Sequence, residues 1–496
     1  MGWVKRQRFI YHQRFVPAFE SATMQDLSTF LDTATAQAIG AAIAAGKTSS
    51  LAVTEWYLAR IAQYNGGEGG LNCVRSISPL ALAAARQADA QIAAGQWRGP
   101  LHGVPYLLKD NVFTADGSTA SAGCQAIASF VPPYEATLVT RLRDAGAILL
   151  GKTNLTEFAD FVADTMPSEF SSAGGVVRNP LGLRYERGQG SSVGSAAAVS
   201  ARLCAFAIGT ETQNSIQTPA LHTSIVGFKP TVGRISCDGI VPLVPSQDAP
   251  GVLALNVADA ALVFQAMAGI DSVTMISSLR GLRIGIPRRF IADSVLTDTR
   301  KPAFEHALQL LAQAGATIVD PCDLPSAEQL HEVRSCVFRT EFKASLDALL
   351  AQLQPCGMRS MQDIIDWNRE HPAAIPYGQS LLEAANVSAG LDSPQYLADR
   401  QRDMLLSLDQ GIHAALQAGA ADVLLAPMSA AAKCTGKAGA PVLAIPLGTD
   451  ADGLPFGVTV LSKPGEDALV LRMGEWIESL IGVRMAPLSL FSAVCQ

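Results

Sequence analysis

The chain has 496 residues, 49% of them hydrophobic and only 16% charged, whereas soluble domains usually carry about 25% charge. This composition excludes disorder as the main state, and the length allows a large core without disulfide or metal staples. The net charge of −7 argues against a nucleic-acid partner, which would call for a basic face.

Residues 1–25 carry Lys5, Arg6, Arg8 and Arg14 but lack the apolar stretch that a secretory signal requires. They are expected to form a loosely attached leader. The spacing of Ile39, Ile43, Val53, Trp56 and Ile61 predicts helix over 27–64, and an Ala-rich run predicts another over 79–95. The apolar run 104–108 predicts a short buried strand ending at Lys109. A helix over 137–145 and a strand over 147–150 follow. The small apolar residues of 194–209, interrupted by Ser200 and Arg202, predict one buried helix. A membrane span would need about 20 consecutive apolar residues, and none is expected. Strands are predicted at 281–287, 317–319, 423–426, 442–445 and 457–461, with helices at 303–314 and 467–480. Residues 325–415 are more charged and are expected to form a mostly helical insertion or cap. Helices alternating with short apolar strands imply an α/β layered core.

Nine cysteines, from Cys73 to Cys495, are widely spaced and form no C-x-x-C pair. Neither a disulfide framework nor a zinc site is expected, and a reducing, cytoplasmic compartment fits.

The segments 188–200 and 207–220 hold the chemistry. Gly190-Ser-Ser-Val-Gly194 matches the nucleophile-elbow pattern centred on Ser192, but the charged residues 183–188 do not read as the strand an elbow needs. The loop has no lysine of the phosphate-binding type. Alone, it reads most simply as a Gly/Ser loop entering an Ala-rich helix.

Other motifs accompany it in a fixed order. They are Gly103-Val-Pro-Tyr-Leu-Leu-Lys-Asp110, Gly151-Lys-Thr-Asn154 with Glu157, Arg178-Asn-Pro180, Gly227-Phe-Lys-Pro-Thr-Val-Gly-Arg-Ile-Ser236, Ser246-Gln-Asp248 and Asp452-Gly-Leu-Pro-Phe-Gly457. Together they resemble the amidase signature family along most of the chain. Ile364-Ile-Asp-Trp-Asn-Arg369 and Pro376-Tyr-Gly378 look like the branch containing bacterial peptide amidases.

The resemblance implies one large α/β domain over 26–496, with a mixed, many-stranded sheet covered by helices on both sides. It also implies a Ser–cis-Ser–Lys triad in which Ser215 is the nucleophile, Ser191 the bridge after a cis bond at Gly190–Ser191, and Lys109 the base. Backbone N–H groups of Thr212, Gln213, Asn214 and Ser215 would form the oxyanion hole. Gln217 and Thr218 are expected at the substrate. Ser192, Arg234 and Asp248 are expected to order the surrounding loops, and Thr153, Asn154 and Glu157 to be scaffold. No metal or organic cofactor is called for. The expected partner is a small amide, with a homodimer as the assembly to test.

The chemistry is consistent with these assignments. A serine hydroxyl is a weak nucleophile until a base takes its proton. His102 and His222 lie outside the motifs and read as structural. A lysine becomes a base when burial favours its neutral form; the alternative for Lys109 is an ion pair with Asp110. Two departures from the family pattern stand out. Gln213-Asn214 replaces Gly-Gly before the nucleophile, and Asn214 is expected to supply a left-handed residue there. Gln217 replaces an arginine, which favours a neutral or amidated substrate over an acidic one. Three alternatives stand: acyl transfer to another nucleophile, a non-catalytic binding module, or one subunit of an amidotransferase.

Overall fold

Helix caps divide the N-terminal part of the chain. The hydroxyls of Thr35 and Ser49 accept N–H groups of Ala38 and Ala52, so the predicted helical region becomes three helices, Met24–Leu31, Ala36–Ala44 and Ser50–Tyr64. The computed structural model describes residues 24–270 and 281–487. The expected leader thus lies outside the described residues, apart from its last two positions.

Eleven strands build one mixed sheet, and two short ones form a separate hairpin. In chain order they are β1 Val74–Ile77, β2 Pro105–Lys109, β3 Ile148–Thr153, β4 Phe170–Ser171, β5 Gly175–Val176, β6 Phe206–Glu211 and β7 Val226–Lys229. There follow β8 Ala249–Ala254, β9 Arg283–Gly285, β10 Thr317–Val319, β11 Val423–Pro427, β12 Val442–Thr449 and β13 Pro455–Leu461. The sheet order is β1-β3-β2-β6-β8-β7-β12-β13-β11-β9-β10, and the hairpin pairs β4 with β5. β2 lies between β3 and β6 and runs parallel to both, so three carboxyl ends open on the same edge. β6, β8, β7, β12, β13 and β11 then alternate antiparallel.

Helices cover both faces. On β12, Leu443 and Ile445 lie under Gly474 of helix Asp467–Ile481, while Phe228, paired with Leu443, meets Phe264 of helix Val257–Ala268. On the other face Gly227, paired with Ala444, lies under Ala220 of helix Gln217–His222. The inner strands are buried along their whole length, as strands covered on both faces must be.

The single helix expected over 194–209 is corrected. Helix Val193–Ser200 ends at Ala201, Arg202 turns the chain with a left-handed φ of 59°, and Phe206–Glu211 becomes β6. A buried strand and a buried helix both present continuous apolar runs, so periodicity does not separate them. Between β10 and β11 the described chain is largely helical, including Val337–Leu353, Met361–Glu370, Ser380–Asn386 and Pro394–Met404. Its core joins Phe342, Leu346 and Ile364 to Phe158, Val241 and Leu243 of the loops beside the sheet edge.

The eight described cysteines are free thiols, and Cys495 lies outside the described residues. No helix among the described residues is long and apolar enough to cross a membrane.

Candidate active site

The site sits at the carboxyl ends of β2 and β6. Lys109 ends β2 and is fully buried. Its Nζ donates to Ser191 Oγ at 2.8 Å, Ser192 Oγ at 3.0 Å, Thr210 Oγ1 at 3.0 Å and the Thr210 carbonyl at 3.2 Å. Thr210 comes from β6, whose parallel register with β2 sets it beside Lys109. Burial lowers the Lys109 pKa to about 7, against an opposing pull from the charges of Asp248, Glu211 and Asp160. The ion pair weighed for Lys109 with Asp110 does not form, because neighbouring strand residues point to opposite faces. Asp110 pairs instead with Arg75 at 3.1 Å.

Helix Val193–Ser200 brings the two candidate serines under this lysine. Close backbone approach fixes it: a Cβ on Gly194 would stand 2.2 Å from the Asn154 carbonyl oxygen and 2.7 Å from that of Cys73. Ser195 Oγ donates to the Ile208 carbonyl at 3.0 Å and meets Thr153 Oγ1 at 2.7 Å. The Gly190–Ser191 peptide bond is cis. The Ser191 carbonyl accepts from Thr156 N–H at 3.1 Å. Ser192 Oγ is buried and donates to the Thr210 carbonyl at 3.1 Å, and no strand leads into it, so the elbow reading is set aside.

Ser215 follows β6 on the loop before helix Gln217–His222 and lies on the wall of a cleft of about 1030 Å³. Its carbonyl accepts the Ser192 N–H at 3.1 Å, tying the Ser215 loop to the loop of Ser191 and Ser192. Glu211 holds the loop from behind: it accepts the N–H groups of Ile216 at 2.6 Å and Gln217 at 2.9 Å, and the Gln217 amide at 2.6 Å. Among the described residues, the N–H groups of Gln213, Asn214 and Ser215 find no protein acceptor. They flank the cleft with Thr212, whose hydroxyl donates to Asp248 at 2.6 Å. Asp248 also receives the N–H groups of Leu243 and Val244.

The structure does not bring every expected residue to the cleft. Gln217 is fully buried, with its amide committed to Glu211 and to the Gln213 carbonyl at 2.9 Å. Thr218 donates to Ser429 Oγ at 2.9 Å, and neither residue lines the cleft. Arg234 is exposed on a turn whose N–H donates to the Thr231 carbonyl. Asn214 is not left-handed; its side-chain amide donates to the Gly188 carbonyl at 2.5 Å. Gln213 packs on Gly436, where a Cβ would come within 2.7 Å of its Cγ. Asn154 and Glu157 serve the β4–β5 hairpin, donating to the Gly174 carbonyl and accepting the Ser172 N–H respectively. His102 is buried between Arg98 and Gln91. His222 lies away from the cleft, its pKa lowered to about 4 by burial.

Sequence reasoning missed Thr210, Glu211 and Asp160. The first two escaped because the chain up to 209 read as helix, whereas the β2–β6 pairing sets Thr210 beside Lys109. Asp160 lines the cleft as part of a loop with no motif of its own.

A family model described as Amidase matches residues 52–438. The peptide amidase of Stenotrophomonas maltophilia, a solved structure, superposes with a TM-score of 0.84 at 36% identity, over 92% of this chain and 98% of that one. One component of the glutamyl-tRNA(Gln) amidotransferase of Anaeromyxobacter is 32% identical over 90% of this chain and 96% of its own. A putative amidase of Schizosaccharomyces pombe is 29% identical over 94% and 86%.

Proposed function

The chain belongs to the amidase family, and we propose that it hydrolyses a carboxylic amide through an acyl-enzyme on Ser215. The observation that carries this reading is the contact of buried Lys109 with Ser191 at 2.8 Å, beside a cleft that exposes Ser215. In its neutral form Lys109 has a lone pair to accept the Ser191 proton, and Ser191 accepts the proton of Ser215 in turn. A hydroxyl both donates and accepts, so Ser191 can pass a proton without holding charge. Ser215 Oγ attacks the amide carbonyl carbon, and the oxyanion meets the free N–H groups of Gln213, Asn214 and Ser215. The proton returns from Lys109 through Ser191 to the leaving nitrogen. The C–N bond breaks, and water then hydrolyses the ester by the same relay in reverse.

The substrate class follows from the departures from the family pattern. With Gln217 turned inward onto Glu211, no cation from that position waits for a substrate carboxylate. A neutral small amide or the terminal amide of a peptide fits better than an acidic amide. Asn214 anchors the nucleophile loop to Gly188, and Gln213 occupies the space in front of Gly436.

The test is ammonia release from a panel of aliphatic, aromatic and C-terminal peptide amides, with Ser215→Ala alongside. Release by the wild type with loss in the variant is expected. Release that survives in Ser215→Ala would overturn the assignment. Hydroxylamine in the assay separates hydrolysis from acyl transfer, since a transferase would form hydroxamate in preference to acid.

A further inference from the structure

One stretch of the cleft wall is unlike the rest of the chain. Phe158, Ala159 and Asp160 are consecutive non-glycine residues with φ of 44°, 54° and 75°. Left-handed backbone costs roughly 1–2 kcal/mol per residue and persists only where the surroundings impose it. Here they do. Phe158 is buried and meets Phe342 edge-on with centroids 5.7 Å apart, and Phe161 meets Phe342 at 5.6 Å and Phe338 at 5.8 Å. The Phe158 N–H is held by the Ala122 carbonyl at 2.9 Å. The turn that results sets Ala159, Asp160 and Phe161 on the cleft wall together with Ser215.

Asp160 is the unusual member of that wall. Ser168 Oγ donates to one of its carboxylate oxygens at 2.7 Å, and Ser168 is itself oriented by the Gln189 N–H at 3.1 Å. Its nearest cationic neighbour on the surface, Arg187, is committed to Asp164 at 3.1 Å. An ionised carboxylate can accept about four hydrogen bonds, so Asp160 retains acceptor capacity toward the cleft. It lies close enough to the reacting centre for its charge to act on Lys109. Two lysines of the cleft lining are engaged elsewhere: Lys437 pairs with Asp403 at 2.5 Å, and Lys433 donates to the His331 carbonyl at 2.9 Å; Arg334 and Arg339 also line the cleft.

We infer that Asp160 is a specificity-determining residue that receives a protonated amino group of the substrate, carried close to the scissile carbonyl. The preferred substrate class is then an amino-acid or peptide amide with a free amine beside the reacting carbonyl, a narrower class than non-acidic amides at large. This inference rests on Ser215 being the nucleophile of an amidase. A carboxylate in a partly enclosed site that forms no direct ion pair among the described residues discriminates well between a charged amine and a methylene of the same shape.

The probes are L-leucinamide and 4-methylpentanamide, which differ by that amine. At pH 7 the amine, with a usual pKa of about 8, is mostly protonated. The wild type is expected to show a kcat/KM at least tenfold higher for L-leucinamide. In Asp160→Asn, chosen because Asn tolerates the left-handed backbone, that ratio should collapse toward one, chiefly through KM. Equal rates in the wild type, or a ratio unmoved in the variant, would overturn the inference while leaving the amidase reading intact. Calorimetric titration of Ser215→Ala, with and without Asp160→Asn, reads binding apart from turnover. Amine-selective binding lost with Asp160, while the wild type releases ammonia from neither probe nor any amide of the panel, would support the subsite and refute the amidase reading. Binding of both probes alike would refute the subsite.

Discussion

Lys109 can act as a base only after its ammonium has lost a proton, and burial makes that loss accessible near neutrality. With its pKa lowered to about 7, kcat/KM for an amide that carries no ionisable amine should rise with pH through about 7 and level above it. A pH–rate profile that is flat from pH 5 to 9 would contradict this. Lys109→Ala should lower the rate by about 10³-fold or more while leaving the far-ultraviolet circular dichroism unchanged. Lys109 was legible because five apolar residues precede it and make its burial predictable. Ser191 and Ser215 came forward only through the resemblance to the amidase signature family. Gln217 was misread because its partner, Glu211, lies across the same loop, and only the folded backbone turns that amide inward. Asp160 could not be read from the sequence at all, since its place depends on aromatic contacts made by residues far along the chain.

At the scale of elements, two supports hold the serines in register. One is the contact of helix Val193–Ser200 with the strands below it at Gly194. Gly194→Ala would drive a methyl group into backbone atoms of Asn154 and Cys73, which cannot give way as a flexible side chain would. A loss of about 1–3 kcal/mol in denaturant unfolding is expected, and an unchanged midpoint would contradict the packing. The other support is Glu211, which collects the N–H groups of Ile216 and Gln217 that follow Ser215 and faces buried Lys229. Glu211→Gln weakens both N–H contacts and leaves Lys229 without its facing charge. It should lower kcat about tenfold with little change in KM, because loop geometry rather than substrate contact is disturbed. The strands flanking Lys109 were partly visible as apolar runs. β1, β7 and β8 were not read from the sequence.

Across the whole molecule, the helical segment between β10 and β11 closes the cleft over the sheet edge. Glu341, on helix Val337–Leu353, accepts the N–H and the hydroxyl of Ser246 at 2.8 and 2.7 Å. Two residues on, Asp248 holds Thr212 and so reaches the loop that carries Ser215. Glu341→Ala should therefore raise KM by several-fold more than it lowers kcat in steady-state kinetics; an unchanged KM would show that the helices fold over the cleft without this tie. The helical character of the segment was legible from its composition, but its register over the cleft was not, because that depends on contacts between distant residues. Length alone would have allowed about three domains. The sheet instead runs as one structure from β1 at one edge to β10 at the other, with Lys109 at the end of β2 and Ser215 on the loop that follows β6.

The central claim is that Ser215 is the nucleophile and that Lys109 activates it through Ser191. Labelling with a fluorophosphonate, followed by peptide mapping, tests it most directly. Stoichiometric modification of Ser215 in the wild type, slowed about 10²-fold or more in both Lys109→Ala and Ser191→Ala, is the expected result. Modification at Ser192, or labelling of Ser215 at an undiminished rate without Lys109, would contradict it.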